Sequence, residues 1–215
     1  VAIQSENCST FIARVIKDVE IKDSPQWIQN RLMQAGIRPI NNLVDLGNFV
    51  MLEYGQPLHV YDLDKIKGRK VIVRDAEEGE KIVTLDGNER KLSKDTLLIA
   101  DENDGMCIAG IMGGFDTEVT KDTKNVMLEA AVFNKNNIRE TSRELNLVSE
   151  SSLRNEKGAN PIFADEASKR FAYLCERENI GNLVDGSIKV GQTIVDEKSI
   201  DLRISRVNLL SGREF

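Results

Sequence analysis

His59 is the only histidine in this chain of 215 residues, and it lies in NFVMLEYGQPLHVYD (48–62). The apolar-periodic run before it stops at Gly55, a residue without Cβ that tolerates the left-handed end of a helix. Pro57 then holds Gln56 extended and keeps the helix from resuming. The imidazole is delivered at a rigid helix exit, with Leu58, Val60 and Tyr61 around it. A ring so placed is either hydrogen-bonded into a loop or free to do chemistry near neutral pH. Asn48 sits within the preceding helical run although Asn is a poor helix former, so its side chain is either solvated or functional.

Three further stretches carry polar groups in unusual company. Glu129 stands in the middle of NVMLEAAVF (125–133), where a carboxylate is costly to bury unless paired, hydrogen-bonded or protonated. It has two readings: a structural partnership with Arg154 or Arg139, or a functional acid. AGIMGG (109–114) ends in paired glycines, Gly113 and Gly114. These either form a tight turn or bulge, or expose backbone N–H groups to a carbonyl or carboxylate oxygen. SESSLRNEKG (149–158) is a polar loop that either lines a pocket or is simply solvated. No dinucleotide or phosphate-loop spacing, Gly-x-Ser-x-Gly elbow or zinc-ligand spacing occurs, which argues against a nucleophilic-serine hydrolase.

Composition narrows the class. With 40% hydrophobic and 30% charged residues, the chain has the balance of a globular protein. No apolar run approaches the roughly 18 residues of a membrane span. Cys8, Cys107 and Cys175 are odd in number and far apart, so reduced cytoplasmic thiols are expected rather than disulfides or a metal site. A net charge of −6 argues against this chain being the main electrostatic anchor for a nucleic acid. The start at Val1 and the end after SGRE lead us to expect a piece of something longer.

The elements that must position these groups follow from periodicity. Residues 11–22 read as a strand, and Ser24-Pro25 as N-cap and first position of a helix stopped by Gly36. A second helix is predicted over 42–54. Strands follow in KVIVRD, in a hairpin turning at Asp86-Gly87, in TLLIAD and in MCIAGIMGG. NVMLEAAVF is apolar enough to be buried on both faces. Asn134 caps a helix to about Leu145. A long helix over 160–179 buries Phe163, Ala167, Phe171, Leu174 and Cys175 and ends at Gly181. SIDLRISRVNLLSG (199–212) reads as a strand followed by a helix start. Strands and helices in separate runs predict an α+β fold, with mixed or antiparallel sheets packed on helices in two intimately associated subdomains. Residues 1–200 are expected to form one module, and 201–215 the start of a following domain.

Taken in order, CSTFIARVIKDVEIKDSPQWIQNRLMQAGIRPINNLVDLGNFVMLEYGQPLHVYD, DGMCIAGIMGG, VMLEAAVF and SLRNEKGANP resemble the β subunit of bacterial phenylalanyl-tRNA synthetases. The match spans about Cys8 to Pro161. It implies the module formed by that subunit's third and fourth domains, which hydrolyses tyrosine wrongly esterified to tRNA(Phe). An apolar phenylalanine pocket cannot strongly reject an isostere that adds a hydroxyl, so a second site must read the phenol. The resemblance gives Glu129 the phenolic O–H, His59 and Asn48 the positioning of water or ester, and Gly113 and Gly114 backbone contacts. Ser149 and Ser151 line the substrate site. No metal or cofactor is implied here; ATP and Mg belong to the whole enzyme, whose ATP and phenylalanine sites lie on the α subunit.

The implied partners are that α subunit, in a heterotetramer of paired α and β chains, and the 3′ end of tRNA(Phe). The implied setting is cytoplasmic, without a membrane. The chain departs from the family pattern at Gly47 (often Thr), Ser149 (Thr), Ser151 (Ala), Leu153 (His) and Asn155 (Phe). The departures at Gly47 and Leu153 motivate the alternative of a subunit-packing module whose editing has weakened.

Overall fold

The computed structural model describes residues 1–192 and 199–215. It is a mixed α+β structure whose centre is a sheet covered on both faces. The chain opens with β1 (Ala2–Ile3) and β2 (Cys8–Lys17), then α1 (Gln26–Gln34), α2 (Asn42–Tyr54) and β3 (Leu58–Asp62). A run of short strands follows: β4 (Ile72–Asp75), β5 (Lys81–Val83), β6 (Glu89–Lys91), β7 (Leu97–Ala100), β8 (Gly105–Ile108) and β9 (Met112–Gly113). The long β10 (Val126–Phe133) leads into α3 (Lys135–Glu144), α4 (Glu150–Asn155) and α5 (Pro161–Arg177). β11 (Asn182–Leu183), β12 (Ile188–Gly191) and α6 (Ile204–Ser211) complete the described chain.

The central sheet runs β11-β2-β10-β3, with β12 also on β2, and its pairs are antiparallel. The second sheet runs β1-β4-β7-β8-β9; β1 joins β4 parallel and the other pairs are antiparallel. The hairpin β5-β6 stands beside it, with Gly87 at φ 78° in its turn. Alternation along β10 explains its double burial. Met127, Ala131 and Phe133 pack into the core shared with the second sheet, whereas Val126 and Leu128 pack against α1, α2 and α5. Glu129 has the parity of the first set, so its carboxylate lies between the two sheets.

Several sequence expectations are corrected. β2 ends at Lys17 rather than Lys22, because Asp18 takes φ 53° and turns the chain. Ser24 does not cap α1; its hydroxyl donates to the buried Asp45 carboxylate at 2.5 Å, and Pro25 occupies the cap. MCIAGIMGG is two strands folded at Gly110, which takes φ 67°. The loop at 149–158 contains α4, closed by a capping box between Ser149 and Ser152. On α5 the buried position is Ala164; Phe163 is exposed and meets Tyr54 edge-on. The α5 helix stops at Arg177, with Asn179 rather than Gly181 in the left-handed region. Residues 199–203 carry no strand before α6, and 193–198 lie outside the described residues. Helix α2 has the predicted bounds, with Asn41 accepting from the Leu43 and Val44 N–H groups and Gly55 at φ 70°.

Candidate functional site

Local geometry carries His59 from the helix end to the inter-sheet space. After Gly55, the buried Gln56 donates through Nε2 to the Ala131 and Pro57 carbonyls, each at 2.9 Å. That fixes the turn to β10 and sets the register of β3, in which His59 stands opposite Glu129. Residues 59 and 61 share one face of a strand, so Tyr61 joins the pair. Its ring meets His59 edge-on at 4.5 Å between centroids, and its hydroxyl donates to Glu129 Oε2 at 2.5 Å.

Glu129 thus has neither arginine as its partner. Arg154 pairs with Glu150 on its own helix, and Arg139 donates to the Glu156 carbonyl. Burial pushes the Glu129 carboxyl up to about 7, and the hydrogen bond from Tyr61 holds it back from going higher. His59 keeps part of its ring open to a cavity, yet desolvation brings it down to about 4, so it is neutral at pH 7. Cys107 and Cys8 flank the carboxylate; burial first, and then the Glu129 charge, raise both thiols, Cys8 to about 12. Neither thiol is poised as a nucleophile.

The opposite wall comes from the glycine turn. A Cβ on Gly113 would lie 2.6 and 2.7 Å from His59 Cε1 and Nε2, so the ring rests directly on that backbone. Helix α4 closes the site from the side. Ser149 Oγ donates to the Ile111 carbonyl at 2.8 Å, and Asn155 Nδ2 donates to the Gly110 carbonyl at 2.9 Å. The result is a cavity of about 40 Å³ lined by His59, Glu129, Gly110, Gly113, Ser151 and Asn155, among others. A second cavity of about 340 Å³ lies on the other side of His59 and is lined by Leu43, Gly47, Asn48, Leu85 and Val119. Leu58, His59 and Ser151 line both and form the partition.

The residues singled out in the sequence therefore separate into groups. His59, Glu129, Gly113 and Ser151 meet in the small cavity, and Asn48 faces the larger one with His59. Ser149 anchors α4 and lines neither. Gly114 donates its N–H to the Met106 carbonyl at 2.7 Å and lines a separate polar cleft with Lys67, Lys81, Asp101 and Asp104. Tyr61 and Asn155 were not assigned from sequence. Reading LHVYD as a strand, period two, would have placed Tyr61 beside His59. Among the described residues there is no cluster of His, Cys, Asp and Glu able to hold a metal, and no helix long and apolar enough to cross a membrane.

The sequence profile of the B3/4 domain matches residues 7–178. A phenylalanine–tRNA ligase β subunit from Streptococcus thermophilus is 44% identical over 215 residues, all of this chain and 27% of that protein. One from Halalkalibacterium halodurans is 47% identical over 203 residues, 94% of this chain and 25% of that protein. The chain thus spans about a quarter of the length of these relatives. Among solved structures, an N-terminal fragment of the phenylalanyl-tRNA synthetase β subunit from Pyrococcus horikoshii superposes with a TM-score of 0.52. It is 17% identical, and the match covers 100% of this chain and 59% of the fragment, a likeness of fold.

Proposed function

Because the chain belongs to the B3/4 domain family, in the form carried by phenylalanine–tRNA ligase β subunits, we propose that its inter-sheet site hydrolyses tyrosine wrongly esterified to tRNA(Phe). The supporting observation is the cross-strand pair of Glu129 and His59 on one cavity, resting on Gly113. A buried carboxylate with one oxygen held by Tyr61 offers its other oxygen to a phenolic O–H. A phenylalanyl group brings no hydroxyl and would leave that acceptor desolvated and unpaired.

His59, neutral at pH 7, accepts a hydrogen bond from a water and aims it at the ester carbonyl carbon. The water oxygen bonds to that carbon, the bond to the ribose oxygen breaks, and a proton passes to that oxygen. Free tyrosine and tRNA result, with no covalent enzyme intermediate. The larger cavity, with Asn48 on its wall, takes the 3′ end of the tRNA and holds the ester beside His59. The α subunit supplies the aminoacylation that precedes this step, with its ATP and Mg, and the work is done in the cytoplasm.

The test is deacylation of Tyr-tRNA(Phe) by the assembled enzyme. His59→Ala and Glu129→Ala should each slow it at least tenfold; wild-type rates in both would overturn the assignment.

One observation favours a second reading, a subunit-packing module with weakened editing. The Glu129 cavity, about 40 Å³, admits water but not an aromatic ring, which occupies a cavity of about 150 Å³. Editing therefore requires a shift of the His59 or Ser151 partition that joins the two cavities. Tyrosine soaked into crystals separates the readings: electron density beside Glu129 supports editing, and an unchanged closed cavity supports packing alone.

A further inference from the structure

Asn155 has a buried amide whose nitrogen is hydrogen-bonded and whose oxygen is not. The residue is 2% exposed and lines the Glu129 cavity. Its orientation is set by the glycine turn: Nδ2 donates to the Gly110 carbonyl, an acceptor that only the amide nitrogen can serve. Gly110 lies so close that a Cβ there would meet Nδ2 at 2.7 Å. Oδ1 is thereby turned away from that carbonyl, and it has no donor. Buried carbonyl oxygens without a partner are costly. Gln56 and Asn137 also carry one, but neither lines this cavity.

We propose that Asn155 Oδ1 binds the α-ammonium group of the aminoacyl ester, making this amide a substrate-binding residue selective for esters that carry a free amine. The inference rests on the editing function proposed above and extends it. A tyrosyl group has two donors, the phenol and the ammonium. Glu129 takes the phenol, so the ammonium is the donor left for the remaining acceptor. Helix α4 carries Ser151 one turn before Asn155, so both reach the cavity from one face of the helix. The two bonds from Ser149 and Asn155 to the glycine turn hold that face in place.

The test uses the assembled enzyme and two esters of tRNA(Phe), tyrosyl and its desamino analogue 3-(4-hydroxyphenyl)propionyl. Asn155→Leu is close in shape and removes the acceptor. It also removes the Nδ2 bond to Gly110, so the proposal is read from the ratio of the two esters. The kcat/KM for the tyrosyl ester should fall about tenfold or more beyond any loss on the desamino ester, the scale of one hydrogen bond to a charged group. Asn155→Asp loses the same bond to Gly110 but keeps an acceptor oxygen, so it should retain the preference for the amine, which separates the missing acceptor from the missing donor. An equal loss on both esters would mean that Asn155 only supports α4 or holds a water, and would overturn the proposal; so would no change on either. If the wild-type enzyme hydrolyses neither ester, the editing function itself fails, and this inference with it.

Discussion

The Tyr61 hydroxyl donates to Glu129 Oε2 at 2.5 Å between the two sheets, so the proposed phenol reader already holds a phenol belonging to its own chain. That bond fixes the carboxylate in one orientation. It also favours the ionised form against the burial that opposes it.

Replacing Tyr61 by Phe should therefore move the ionisation of Glu129 upward. Ionised Glu129 accepts the substrate phenol, so kcat/KM for tyrosyl ester should rise with pH through about 7 in the wild type and at higher pH in Tyr61→Phe. The other titratable groups facing this carboxylate, His59, Cys8 and Cys107, do not mimic the shift. His59 titrates near 4 and both thiols are raised. A pH–rate profile of the two proteins checks it.

Glu129 should also shape stability against pH. Its folded value, about 7, lies above the ordinary 4.5, so its contribution is full below 4.5 and is lost as pH rises through about 7. Glu129→Gln, which stays neutral and can still accept from Tyr61, should match the wild type near pH 4. It should exceed it by up to about 3 kcal/mol at pH 8. His59 titrates in the opposite sense in both proteins, so the difference between their denaturation curves isolates Glu129.

The paired glycines should respond differently to alanine. At Gly113 the new methyl meets the His59 ring at 2.6 Å, so the imidazole is displaced while the backbone conformation remains allowed. Gly113→Ala should cut deacylation by about a hundredfold, the cost of misplacing a positioning group, with a small loss of stability. At Gly114 the methyl meets the Met106 carbonyl oxygen at 2.5 Å, and that carbonyl accepts the Gly114 N–H. Gly114→Ala should lower the Tm first, measured by calorimetry alongside the rate.

Gly47 lies inside α2 with room around it: a Cβ would find only Phe171 at 3.9 Å and the Leu58 carbonyl at 4.0 Å. Gly47→Ala should stabilise the protein by about 0.5–1 kcal/mol through the unfolded chain and helix propensity, read from thermal denaturation.

Much of this was legible in the sequence because local rules suffice for it. Helix α2 announces itself by its apolar periodicity and the Gly55 stop, and β10 by its unbroken apolarity. The departures arise where tertiary partners override local preference. Ser24 is drawn from its cap by Asp45, and Asn179 takes the positive φ that Gly181 was expected to supply. Gly181 is instead needed for space, since a Cβ there would meet Val19 at 2.7 Å. The site shows the same division. Glu129 stood out as an acid in an apolar strand, and His59 as a lone imidazole. Tyr61, which bonds Glu129, and Asn155, which lines the same cavity, depend on a strand register and a helix docking that single-residue anomalies do not reveal.

The central claim is that Glu129 reads the phenol. The most direct measurement is the ratio of deacylation rates, Tyr-tRNA(Phe) over Phe-tRNA(Phe), in the assembled enzyme with and without Glu129→Ala. The ratio should be well above one in the wild type and fall toward one in the variant, through loss of the tyrosyl reaction. A ratio that survives the substitution would contradict the account.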